Sequence, residues 1–127
     1  MKKLLLAAVM VASPVVAQSN QGFVVRFTGF LGDLRFPAEQ MRADFVEIDD
    51  DTARVAFALD EAGTASFAQF TRLHVNQPVT MFICGQQVAS PVFTGEIDNG
   101  FYSSDAIDSD LARDMVAALN GLGDCPD

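Results

Sequence analysis

Two cysteines, one histidine and a run of three aspartates are the side chains of this sequence best placed to do chemistry. Cys84 and Cys125 are its only cysteines and His74 its only histidine. A Cys84–His74 pair could in principle make a nucleophile and its base, but no nucleophile motif surrounds Cys84. An even cysteine count in a small exported chain favours a disulfide instead. Closing a loop of about 40 residues in this way adds roughly 4 kcal/mol in the chain-entropy account. A lone histidine rules out sites built on several imidazoles, and His74 falls near the end of a predicted helix, where it complements the dipole. Asp49-Asp50-Asp51 lacks the alternate spacing, central glycine and closing glutamate of an EF-hand, and reads as a solvated turn. Seventeen Asp and Glu residues offer many carboxylate pairs, and nothing singles one out. No glycine-rich phosphate loop, nucleophile elbow or CxxC motif is present. The sequence therefore predicts no catalytic residue, no cofactor and no metal site.

The ends and the charge say where such a chain works. Lys2 and Lys3 precede an apolar stretch from Leu4 to Ala12, Pro14 interrupts it, and Val15-Val16-Ala17 offers a cleavage site. This pattern predicts a signal peptide over 1–17, a mature chain beginning at Gln18 and a periplasmic location. The apolar stretch is too short to span a bilayer. Seventeen acids against eight Lys and Arg give a net charge of −9, and removal of Lys2 and Lys3 makes the rest more acidic still. Such a field repels phosphate backbones and excludes nucleic acid as a partner.

Around these residues, 18–22 reads as a polar end and Phe23 to Phe27 as a strand. Residues 29–40, punctuated by Gly32 and Pro37, read as irregular. Phe45 to Ile48 and Arg54 to Leu59 form a predicted hairpin about the aspartate turn. Asp60 caps a helix running to about Val75, with Phe67, Phe70, Thr71 and His74 on one face. Asn76 and Pro78 end it. Val79 to Cys84 is a buried strand, and Gly85-Gln86 turns into a partner from Gln87 to Phe93 that Pro91 marks as an edge. Asp98-Asn99-Gly100 is a tight turn before a short strand, Phe101 to Ser103. A second helix starts at Ser104, Asp105, Asp108 or Ser109, carries Leu111, Met115, Ala118 and Leu119 as its apolar stripe, and stops near Asn120-Gly121. The fold class that follows is α+β, a small antiparallel or mixed sheet with two helices packed on one face.

From Arg54 to Gly121 the order of features resembles the head subdomain of the first periplasmic domain of SecD, a protein-export membrane subunit. The matching runs are FALDEAGTASFAQFTRLHVNQPV, MFICGQQVASPVF, EIDNG and LARDMVAALNG. Asn76 stands where that family ends its helix with glycine, and Cys84 where it has the aspartate of an Asp-Gly turn. Residues 18–53 carry no such likeness, so 18–52 is an N-terminal strand and irregular segment preceding a head-like domain over 53–127. The resemblance implies a non-enzymatic module that contacts unfolded or extended polypeptide, or a periplasmic or inner-membrane protein. Phe93 and Phe101, flanking the Asp-Asn-Gly turn, are the contact residues it suggests, and ordinary core packing is their other reading. A structural or inhibitory protein on the same fold, or a small hydrolase with an unrecognised site, are the alternatives.

Overall fold

A computed structural model describes residues 23–126; the proposed signal peptide and its cleavage site lie outside them. Among the described residues, eight strands fall into two antiparallel sheets. β1 (Phe23–Gly29), β2 (Gly32–Pro37), β5 (Val79–Ile83) and β6 (Gln86–Ala89) build the first, in the order β2-β1-β5-β6. β3 (Met41–Glu47), β4 (Thr52–Leu59) and β7 (Phe101–Ser103) build the second in that order, and the short β8 (Ile107–Asp108) also pairs with β4. Helix α1 (Glu61–Leu73) packs against β2 and β4, and α2 (Ser109–Leu119) against β3 and β4. The α+β class holds, with the strands divided between two sheets.

Period-two alternation decides which way each strand faces. Val25 and Phe27 on β1, and Val79, Met81 and Ile83 on β5, point into the core. Ala53, Val55 and Phe57 on β4 face the same interior from the second sheet. Phe27 is the hub: its ring lies 5.1 Å from Phe67 on α1, 6.5 Å from Phe57 on β4 and 6.0 Å from Tyr102 on β7. Burying one such ring contributes about 1.5–3 kcal/mol, so the two sheets share one apolar cluster. The division drawn at residue 53 falls inside the β3–β4 hairpin.

The irregular reading of 29–40 is corrected. Gly29 and Gly32 close a hairpin, and the alternation Leu34, Phe36 against Asp33, Arg35 makes 32–37 a strand, followed by a 3-10 turn at Ala38–Gln40. The expected strand from Gln87 to Phe93 is shorter. It ends at Ala89, and Val92 and Phe93 make single bridges to Pro78 and Val75. Pro91, which has no N–H to give a ladder, accounts for the break.

Local signals place the remaining ends. The Asp60 carboxylate accepts from Gly63 N–H at 2.8 Å, capping α1. Asn76 adopts φ 62° just beyond it. The second helix takes Asp108 as its cap, accepting from Leu111 N–H at 3.1 Å. Asp49 Oδ1 accepts from Asp51 N–H, Thr52 N–H and the Thr52 hydroxyl at 2.8–2.9 Å, closing the β3–β4 turn.

Candidate functional site

The residues with reactive chemistry are occupied structurally. Cys84 and Cys125 are bonded to each other with Cα atoms 5.5 Å apart. Cys84 sits in the β5–β6 turn at φ 54°, so the bridge ties the end of the first sheet to the tail beyond α2. Its thiol is therefore no nucleophile. His74 caps α1 and is buried. Nδ1 donates to Phe70 O at 2.9 Å, which leaves Nε2 to accept from Leu31 N–H at 3.1 Å. That pattern requires the neutral ring with its proton on Nδ1. Gly29 lies so close beneath that a Cβ there would come within 2.5 Å of the imidazole. The histidine is a structural pin for the β1–β2 turn, as its place in the helix suggested.

The two phenylalanines flanking the Asp-Asn-Gly turn separate. Phe93 is 3% exposed, with its ring 5.9 Å from Phe67 and 5.6 Å from Tyr102. Its expected role as surface contact is corrected: the bridge to Val75 turns it inward. Phe101 is 62% exposed. Gly100, at φ 76°, starts β7 against α1, where any Cβ would collide with Thr64. Alternation then turns Tyr102 into the core and Phe101 and Ser103 outward.

Sequence reasoning missed what Phe101 stands beside. On the outer face of the second sheet the register sets Arg42, Ala58 and Phe101 in one row across β3, β4 and β7. Asp44, Ala56 and Ser103 form the next row. The two alanines leave a depression of about 440 Å³ lined also by Asp44, Phe101 and Ser103. A second of about 270 Å³ meets it at Ala58 and is lined by Arg42, Glu39 and Asp60. The signal was present as Arg42-Ala43-Asp44 and Ala56-Phe57-Ala58, polar or small on one face and buried on the other.

Edges complete the geometry. The β3 edge is closed at Ala43, whose N–H and C=O both bond the Asn120 side-chain amide, at 2.8 and 2.9 Å. Across the sheet, Gly100 O accepts from Leu59 N–H and Ser104 N–H donates to Val55 O. The antiparallel alternation thus spends Tyr102 on β4 and turns the Phe101 carbonyl and the Ser103 N–H to the open side of β7. Beneath them, burial and then the nearby Asp105 carboxylate hold the Tyr102 hydroxyl above the ordinary tyrosine range. No group of three or more His, Cys, Asp or Glu suited to a metal occurs among the described residues.

No family model and no curated protein matches the chain. Solved structures do. A structure of SecDF, described as a membrane component that enhances protein export, aligns with TM-score 0.63 at 13% identity, covering 94% of this chain and 73% of that chain. The crystal structure of SecDF in a super-membrane-facing form aligns with TM-score 0.56 at 18% identity, covering 72% of this chain and 13% of that chain. The chain therefore has a SecD-like domain fold. A likeness over 94% of the chain also reaches beyond Arg54–Gly121, the stretch in which the sequence resemblance lies. No helix among the described residues is long and apolar enough to cross a membrane.

Proposed function

We propose that this protein is a non-enzymatic accessory module of protein export, delivered to the periplasm by cleavage after Ala17, and that it binds extended polypeptide on the outer face of the second sheet. The observation that carries the reading is an exposed Phe101 on a strand whose outer edge has no partner strand among the described residues. An extended segment joining β7 gains main-chain hydrogen bonds at its open edge, and the client chain that continues over the outer face reaches the alanine floor. Binding of this kind needs apolar surface and an edge, and no catalytic group. The likeness to SecDF supports the same direction through the fold. A depression floored by alanines, with few convergent polar groups, favours a binding module over a hydrolase.

The test is a titration of protein recovered from the periplasm with a reduced, unfolded secretory protein. Wild type binds, Phe101→Asp weakens binding about tenfold or more, as a central aromatic contact does, and its thermal melt stays unchanged. Absence of binding by wild type at high micromolar concentration ends the reading. Equal binding by wild type and a folded Phe101→Asp moves the site elsewhere.

A further inference from the structure

We infer that the row Arg42–Ala58–Phe101 is a slot for a planar aromatic side chain of the bound polypeptide, held between the Phe101 ring and the Arg42 guanidinium. The inference rests on the polypeptide-binding reading and names the client chemistry it selects. Two inter-strand spacings separate the β3 and β7 positions of the row, about 10 Å in all. An aromatic ring prefers a centroid separation of about 4.5–7 Å from another ring and a cation within about 6 Å of its face. One ring standing over Ala58 therefore satisfies both neighbours at once. The methyl of Ala58 leaves that space open, and both depressions meet there.

Charge gives the occupant its character. Arg35, Arg72 and Arg113 each pair with a carboxylate, and Arg26 and Arg113 lie over Phe82 and Phe45. Among the described residues only Arg42 and Arg54 have neither kind of partner, and both face outward from this sheet in a strongly acidic protein. Arg42 borders the slot, and the ring it lacks is the ring a client supplies. The flanking Asp44 carboxylate disfavours an acidic neighbour in the client.

The experiment uses extended peptides of one sequence whose central residue is phenylalanine, cyclohexylalanine or alanine. Cyclohexylalanine keeps the size and apolarity of phenylalanine and removes the π face. The phenylalanine peptide binds wild type about two- to fivefold tighter than the cyclohexylalanine peptide, the span of an exposed cation–π contact. Arg42→Gln narrows that gap, because it weakens binding of the phenylalanine peptide more than that of the cyclohexylalanine peptide. Ala58→Leu fills the slot and brings all three peptides to the level of the alanine peptide, with the melt as the check on folding. Equal binding of the phenylalanine and cyclohexylalanine peptides overturns the slot and leaves the binding module standing. An Arg42→Gln variant that weakens both equally does the same. Failure of every peptide and of the unfolded secretory protein to bind overturns both readings.

Discussion

Each sheet turns an arginine and an aromatic ring toward solvent, and the two sheets treat the pair differently. On the first, Arg26 and Phe82 are direct cross-strand partners, and the guanidinium lies 4.5 Å from the ring centroid. Both side chains are half-buried, and each is the other's partner. On the second, Ala58 separates Arg42 from Phe101, and neither has an ion-pair, cation–π or ring partner among the described residues. One interposed alanine changes a self-satisfied surface into an open one. The edges follow the same division. β6 is partly covered, since Val88 O accepts from Asp105 N–H at 3.1 Å, while β7 has no strand beyond it among the described residues.

The comparison stands only if both faces hang on one core, and removal of Phe27 strikes it hardest. Phe27 belongs to the first sheet and touches rings from α1, β4 and β7. Phe27→Ala is expected to cost about 3–5 kcal/mol through lost contacts and the cavity left behind. Tyr102 is the only tyrosine and there is no tryptophan, so tyrosine fluorescence follows the second sheet. Its transition and the far-ultraviolet transition should shift together. If the Tyr102 transition stays put, the sheets melt separately and the shared core is wrong.

The disulfide sharpens the comparison at the next level of effect. It joins the end of β5 to the tail after α2, and α2 rests on the second sheet. Replacing both cysteines by serine should lower stability by about 2–4 kcal/mol, since the sequence separation is 41 and most of the effect comes from a freer unfolded chain. The bridge joins β5 to the tail and contributes no residue to the Ala58 row, so peptide affinity of the folded variant should not change. A parallel loss of affinity would show that the outer face depends on how α2 is tethered.

Much of this architecture was legible because short-range rules acted alone. Asp60 before an apolar periodic run, the aspartate turn and Asn76 before Pro78 each name a local conformation that the chain then adopts. The segment at 29–40 misled because glycines and a proline read as breakers, although Leu34 and Phe36 alternate correctly for a strand. The site was less legible. Phe93 and Phe101 lie in similar local sequence, and only the Val75–Phe93 bridge and the β4–β7 register send one inward and the other out. The Ala58 row is assembled from three strands, and pairing across strands is not written in any one of them. The split into two sheets has the same origin.

The smallest expected effects lie within β7, where adjacent rings face opposite ways. Tyr102 is half-buried, and its pKa stands above the ordinary tyrosine value of about 10 because burial disfavours the phenolate and Asp105 repels it. A raised value in the folded state means that the fold favours the neutral phenol. Below about pH 10 that contribution is fully present. As pH rises past 10 the unfolded chain ionises first, and stability falls until the folded phenol also titrates. Absorbance titration at the phenolate band reads Tyr102 alone in the native protein, and its midpoint should move back toward 10 on denaturation. A native midpoint at or below the denatured one contradicts the inward placement of Tyr102. Phe101, one residue away, should show the reverse character. Phe101→Ala removes an exposed ring, so stability should change by no more than about 0.5 kcal/mol and the Tyr102 midpoint should stay where it was. A clear loss of stability in Phe101→Ala would mean that the ring already packs against the chain's own surface. The slot beside Ala58 would then be closed in the free protein, and the second sheet would resemble the first.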